Sequence, residues 1–299
     1  MTASTTASTT APPGGSVTTA AAPGPPASST RAGALLDLPR GGRTIFPAYR
    51  LVGFSGAPGS AALGRLGIGA IDDRVSEIER LGASYAKGRT VLPVLELIAT
   101  VAHRSPGRDD MFRSRASDAT ISRYLAAARR HRGILLLNIS PGRARFLDEV
   151  TAYARWLAEP DVGLALDPEW AVGPGQVPGR VFGHTSGAEL DSIARYVAGL
   201  VAAKRLPEKV VLYHQLHVSI VAGESALTPH PGVVLVKSVD GIGTPAQKAS
   251  TWRSILRRTP TYVHPGFKLF FIEDREHGPL MTPAQVLALR PTPEYVLYE

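Results

Sequence analysis

The chain has 299 residues, a formal charge of +8, no cysteine, and 44% hydrophobic against 19% charged residues. Such a profile can bury a sizeable core in one large domain or two smaller ones, and without cysteine there is no disulfide framework, thiolate nucleophile or Cys-ligated metal. Arg and Lys are scattered rather than blocked, zinc-finger spacing and RNP-like aromatics are absent, and no apolar run approaches the ~20 residues of a membrane span, so neither nucleic acid nor a membrane span is expected.

Residues 1 to about 33 are Thr, Ser, Ala, Pro and Gly, with Met1 and Val17 the only large apolar side chains. A segment so poor in apolar surface cannot offset its ordering entropy. The expected organisation is a disordered Ser/Thr/Ala/Pro-rich segment over 1–44, followed by a single domain over 45–299. Stalks of this composition often tether extracellular domains. Residues 1–30 lack the apolar core of a signal peptide, so a secreted or cell-envelope location rests on the stalk alone.

From about residue 45 short apolar runs recur: Tyr49–Phe54, Val91–Ile98, Gly133–Ile139, Val162–Leu166, Lys209–Tyr213, Gly232–Val236, Lys268–Ile272 and Tyr295–Tyr298. They are near-continuously apolar, as parallel strands covered on both faces should be. Helical patterns lie between them. Asp72–Leu81 and Asp118–Arg130 have apolar residues at helical spacing, the second with Ser117 as N-cap, and Arg143–Ala158 carries a longer stripe. Ser186–Ala203 opens with a Ser-x-x-Glu capping box formed by Ser186 and Glu189. Thr244-Pro245 and Thr282-Pro283 pair an N-cap with proline at the first helical position. The segment Val218–Leu227 is shorter and less regular. Eight strands alternating with about seven helices predict an α/β fold, a (β/α)₈ TIM-type barrel that ends at its eighth strand; such barrels usually run to ~250 residues.

Active sites of such barrels lie at the C-terminal strand ends. Those positions carry Glu96, Asn138 and Ser140, Asp167 with Glu169 and Trp170, His214 with His217, Lys237 with Asp240, Glu273 with Asp274, and Tyr298 with Glu299. The opposite ends are mostly Gly, Pro, Val and basic residues. In Leu164-Ala165-Leu166-Asp167-Pro168-Glu169-Trp170 the two carboxylates share a face if the strand persists through Pro168. Carboxylates beside an aromatic platform suit acid/base work on a sugar. Glu169 is the expected acid/base, Glu273 or Asp274 the second carboxylate, and Asp167 the tuner of Glu169. Glu96, Trp170, His214, His217, Lys237, Asp240 and Tyr298 are candidate substrate contacts. Without an H-x-H or H-E-x-x-H signature no metal is expected, and the loop Gly56–Ser60 lacks the motifs of a nucleotide site, so no cofactor is expected. Arg104, Arg108, Arg113, Arg115, Arg143 and Arg145 follow strands two and three and admit an anionic carbohydrate.

In architecture and in the LDPEW strand end the chain resembles the barrel glycoside hydrolases. Its DGIGTPAQK segment and its closing FKLFFIEDREHGPLMTPAQVLALRPTPEYVLYE are similar to uncharacterised exported proteins of actinobacteria, a resemblance that covers most of 45–299 and implies no activity. Together these suggest a glycoside hydrolase acting on a cell-envelope or extracellular polysaccharide. The alternatives are a non-catalytic carbohydrate-binding barrel and a Schiff-base lyase using Lys237.

Overall fold

The computed structural model describes residues 6–8 and 35–299. Most of the segment expected to be disordered, 1–44, lies outside the described residues. The compact unit runs over Leu35–Glu299. Within it residues 38–45 are packed: Leu38 and Ile45 are buried, Arg40 donates to the Val91 carbonyl at 2.8 Å, and Arg43 donates to that of Leu206 at 2.7 Å. Packed chain thus begins ahead of the expected boundary at 44, as a belt under the N-terminal strand ends.

Eight parallel strands form the wall: β1 (Tyr49–Gly56), β2 (Thr90–Ala102), β3 (Ile134–Ile139), β4 (Val162–Leu166), β5 (Lys209–Gln215), β6 (Val233–Val239), β7 (His264–Leu269) and β8 (Tyr295–Tyr298). Consecutive strands are neighbours, and β8 returns to β1 with Leu51 opposite Tyr295, so the sheet closes. A short antiparallel strand, Arg113–Arg115, extends β2 at the mouth. Alternation sorts the side chains into two cores. One inside the barrel holds Leu51, Leu92, Val94, Leu136, Leu212, Val236 and Leu297. The other, between strands and helices, holds Val52, Leu95, Leu137, Val211, Leu235, Phe267 and Val296. This is the expected TIM-type barrel.

The helices are α1 (Ile71–Ala83), α2 (Asp118–Arg130), α3 (Phe146–Ala152), α4 (Ala154–Leu157), α5 (Gly187–Lys204), α6 (Pro245–Leu256), α7 (Glu273–His277) and α8 (Pro283–Leu287). Thr244 and Thr282 complete reciprocal capping boxes with Gln247 and Gln285. Ser186 caps the Glu189 amide, but the Glu189 carboxylate accepts from Thr185 Oγ1 at 2.6 Å instead of closing the box. The helix expected over 143–158 is divided at Tyr153, whose hydroxyl donates to the Ala99 carbonyl at 2.7 Å. After β5 the chain makes only a two-residue strand, Val221–Ala222, and a 3₁₀ turn, Glu224–Ala226.

The largest departure from the sequence reading is at β7. The run Lys268–Ile272 suggested a strand there, but the strand is His264–Leu269 and has ended before Phe271. Its start, His264-Pro265-Gly266, reads as a turn. Gly266 fits a tight place in the wall, where a β-carbon would lie 3.0 Å from the Tyr295 ring and 3.1 Å from the Lys237 carbonyl.

Candidate active site

Inward-facing positions change from aliphatic to polar halfway up the barrel. Glu96 on β2, Asn138 on β3, His214 on β5, Lys268 on β7 and Tyr295 on β8 form one buried layer, and Ser140, Asp167, Asp240 and Glu299 stand above it at the mouth. His214 holds the layer together. Its Nε2 lies 2.9 Å from Glu96 Oε1 and its Nδ1 2.7 Å from Asp240 Oδ2. With a carboxylate at each nitrogen, the imidazole must donate twice and is therefore cationic. Burial works against that charge, but the carboxylates of Asp240, Glu96 and Asp167 hold the His214 pKa well above its ordinary value.

Glu96 is wholly buried. Burial alone would push its pKa up, yet His214 first, then Lys268 and the Tyr295 hydroxyl, hold it below the usual range. Tyr295 donates to its Oε2 at 2.5 Å and Asn138 Nδ2 to its Oε1 at 2.9 Å. Asp240 is likewise opposed by burial but held low by His214 and Lys268. Its Oδ1 accepts from Ser238 at 2.7 Å, and Lys268 Nζ stands 3.4 Å from Oδ2. Lys268 also pairs with Glu299 Oε2 at 2.8 Å, which Ser55 reaches at 2.6 Å. A lone charge in this layer would be prohibitive; alternating signs make it tolerable.

The two carboxylates of LDPEW differ from the rest. β4 ends at Leu166, and Pro168–Trp170 form a 3₁₀ turn rather than a continued strand. The turn is closed by the Trp170 amide donating to the Asp167 carbonyl at 3.1 Å, and the Glu169 carbonyl accepts from Gly183 at 2.7 Å. Asp167 accepts from Ser140 Oγ at 3.0 Å and lies 3.8 Å from His214 Nε2. Its burial outweighs that imidazolium and raises its pKa. Glu169 has no cation this close among the described residues, and its buried Oε2 has no hydrogen-bond partner there. Burial, followed by repulsion from Asp167 and Asp240, pushes its pKa up to about 8. At neutral pH the mouth therefore holds a protonated Glu169 beside an ionised Asp240.

Asp167, Glu169, Asp240, Lys268 and Glu299 line a cavity of about 660 Å³, walled on one side by Trp170 and Phe182. Both aromatics reach solvent, Phe182 at 67% exposure and Trp170 at 36%.

Several residues expected at the mouth are elsewhere. Asp274 is buried in the first turn of α7 and ties it to its surroundings: it accepts from the amides of Phe270 and Gly243 and pairs with Lys248 Nζ at 2.8 Å. Glu273 is exposed and lines a neighbouring hollow. Neither faces Glu169 across the barrel, because β7 ends before them. Lys237 faces the helices, not the interior; its Nζ lies 2.5 Å from Glu224 and donates to Thr259 at 2.7 Å. The inward lysine is Lys268, which its ion pairs hold well above the ordinary amine pKa despite burial. A Schiff-base amine must be free of its proton and must reach the substrate: Lys268 is held protonated, and Lys237, whose pKa burial lowers, faces away from the interior and is paired with Glu224. Tyr298 also faces outward, bonded to the Tyr85 hydroxyl at 2.5 Å and stacked under Phe271 with centroids 5.0 Å apart. His217 is exposed and bonds Ser219 in its own loop. The loop arginines are largely neutralised: Arg113 and Arg115 share buried Glu149, Arg143 pairs with Asp110, and Arg145 with Asp148.

Sequence reasoning missed Lys268, Tyr295 and Phe182. For the first two a signal existed in strand alternation, since Phe267 and Leu269 face the helices on either side of Lys268, as Val296 does beside Tyr295. Phe182 lies in a loop without regular structure and gave none. Among the described residues no group of three or more His, Asp or Glu could hold a metal ion, and no helix is long and apolar enough to cross a membrane. No model of a known protein family matches the chain, and neither does any curated protein.

Proposed function

We propose that the chain is a glycoside hydrolase acting on a cell-envelope or extracellular polysaccharide, with Glu169 as its general acid. The observation that carries this reading is the Glu169 carboxyl. Glu169 is half-buried on the wall of a sugar-sized cavity, its Oε2 sealed from solvent, and the carboxyl keeps its proton to about 8. Titratable neighbours whose surroundings push their pKa values apart mark an acid and its anionic counterpart. Here the counterpart is Asp240, kept ionised by His214 and Lys268, in the role first assigned to Glu273 or Asp274. The charge of Asp167 adds to the proton affinity of Glu169.

In the reaction, Glu169 passes its proton to the glycosidic oxygen as the bond to the anomeric carbon breaks. The positive charge that develops on the ring faces Asp240. Water supplies the hydroxyl of the new reducing end, and its proton returns to the Glu169 carboxylate. Both Asp240 oxygens are already occupied, by Ser238 on one and His214 and Lys268 on the other. That engagement favours electrostatic stabilisation over covalent attack. Trp170 and Phe182 supply apolar faces for the sugar rings.

The test is hydrolysis of a panel of aryl glycosides and neutral polysaccharides by the wild type and by Glu169→Gln. General acid catalysis contributes roughly 10²–10⁴-fold, so the substitution should remove activity on that scale while binding persists. The wild-type rate should fall as pH rises through about 8, where Glu169 loses its proton. Equal binding by both proteins with no turnover by either would leave a non-catalytic carbohydrate-binding barrel.

A further inference from the structure

The mouth cavity does not end at its own walls. On the β4 side it shares Glu169, Trp170 and Phe182 with a hollow of about 190 Å³ that extends to Arg180 and Val181. On the β8 side it shares Ala62 and Glu299 with a hollow of about 360 Å³ floored by Phe271 and Ile272. Strands β4 and β8 are four places apart in an eight-stranded ring, so the two hollows lie on opposite rims. Adjoining through these shared residues, the three spaces line up as a trough across the mouth, with Glu169 lining two of them. Both ends reach solvent, since Phe182 is 67% exposed and Ile272 61%.

A pocket for a terminal sugar needs a wall at one end. A trough open at both rims, with apolar side chains at each, accommodates a chain that enters on one side and leaves on the other. The charges decide what kind of chain. The central cavity presents the acidic groups Asp167, Asp240 and Glu299, with Glu169 protonated, against Lys268 alone. In the β8-side hollow Arg65 is held bidentately by Glu77, and Glu273 lies beside Arg275. Among the described residues an acidic polymer would meet acidic groups at the centre, Arg65 already paired and Arg275 at that rim, and Arg180 alone in the hollow at the other.

Resting on the glycosidase reading, we propose that the substrate is a neutral linear polysaccharide laid across the mouth from the Trp170–Phe182 rim to the Phe271–Ile272 rim, and cut at an internal bond.

The test is calorimetric titration of the Glu169→Gln protein with oligosaccharides of one to six units from cellulose, xylan, mannan and chitin. At least one series should gain tenfold or more in affinity between the dimer and the hexamer. Phe182→Ala and Ile272→Asp, both at exposed positions where the fold does not depend on the side chain, should each weaken hexamer binding several-fold. No binding by any series, affinity that stops rising at the dimer, or tighter binding of oligogalacturonates would overturn the proposal. So would release of only terminal monosaccharide by the wild type. Length-dependent binding without any cleavage would sink the catalytic role of Glu169 while upholding the trough.

Discussion

Glu169 makes a prediction about stability that is independent of any substrate. In the unfolded chain its carboxyl ionises near the ordinary value of 4.5, but in the folded protein burial, then Asp167 and Asp240, hold the proton to about 8. Between those limits the native state binds more protons than the unfolded state, so stability falls as pH rises. The slope is about 1.4 kcal/mol per pH unit, and across the window the loss approaches about 5 kcal/mol. Glu169→Gln keeps the shape of the side chain and removes the titration. Urea denaturation of both proteins from pH 4 to 9 measures the difference directly. The curves should lie close together at pH 4 and separate steadily above 5, with the glutamine protein the more stable at pH 8 by several kcal/mol. Parallel curves would mean that Glu169 ionises normally, and the general-acid assignment would lose its basis.

Other consequences follow from the same geometry. Glu96→Gln strands the buried imidazolium of His214 beside an amide, and removing one partner of a buried pair costs about 3–5 kcal/mol; a loss under about 1 kcal/mol in denaturant titrations would show that the pair is not formed. The same pair limits the wild type in pH. The contribution of Glu96, whose pKa is lowered, is present above its unfolded value and lost as acid protonates it, whereas that of His214, whose pKa is raised, is complete below its unfolded value and lost as alkali deprotonates it. Lys237→Met leaves Glu224 with only the Tyr213 hydroxyl and no cation outside the barrel, so it should lower the denaturation midpoint and leave turnover per folded molecule unchanged; lost turnover in fully folded protein would restore a chemical role for Lys237. Gly53→Ala would place a β-carbon 2.2 Å from the Val94 carbonyl at the β1–β2 seam, and overpacking of a tight wall costs about 1–3 kcal/mol, which should appear as a lowered Tm.

The barrel was legible because its signal is redundant. Eight apolar runs at regular spacing, with Thr-Pro and Ser-x-x-Glu helix starts between them, survive an error in any one, and β7 shows it: its bounds moved by about four residues without changing the fold. The site has no such redundancy. Reading β7 from Lys268 to Ile272 put Glu273 and Asp274 at the mouth, where the chain in fact places Lys268, and the second carboxylate was lost with that shift. Asp274 looked available because a sequence does not reveal Lys248 and two backbone amides converging on it.

Lys237 and Tyr298 failed for a different reason. Each lies in a strand that was correctly found, yet a displacement of one residue reverses the face a side chain occupies. Ser238 and Glu299 hold the inward positions that Lys237 and Tyr298 were expected to fill. The parity was recoverable from Asp240, since an inward carboxylate at the end of β6 requires inward Ser238 and outward Lys237. Glu169 lines the mouth, but by another route than the sequence reading supposed. Its position comes from a 3₁₀ turn that swings the side chain over the mouth, not from a strand running on through Pro168. That turn also separates the two carboxylates chemically: Asp167 stays on the strand parity, within reach of Ser140 and His214, while Glu169 leaves it and has no close counter-charge. An extended strand would have given both the same surroundings, and the high proton affinity on which the proposed chemistry depends would have had no cause.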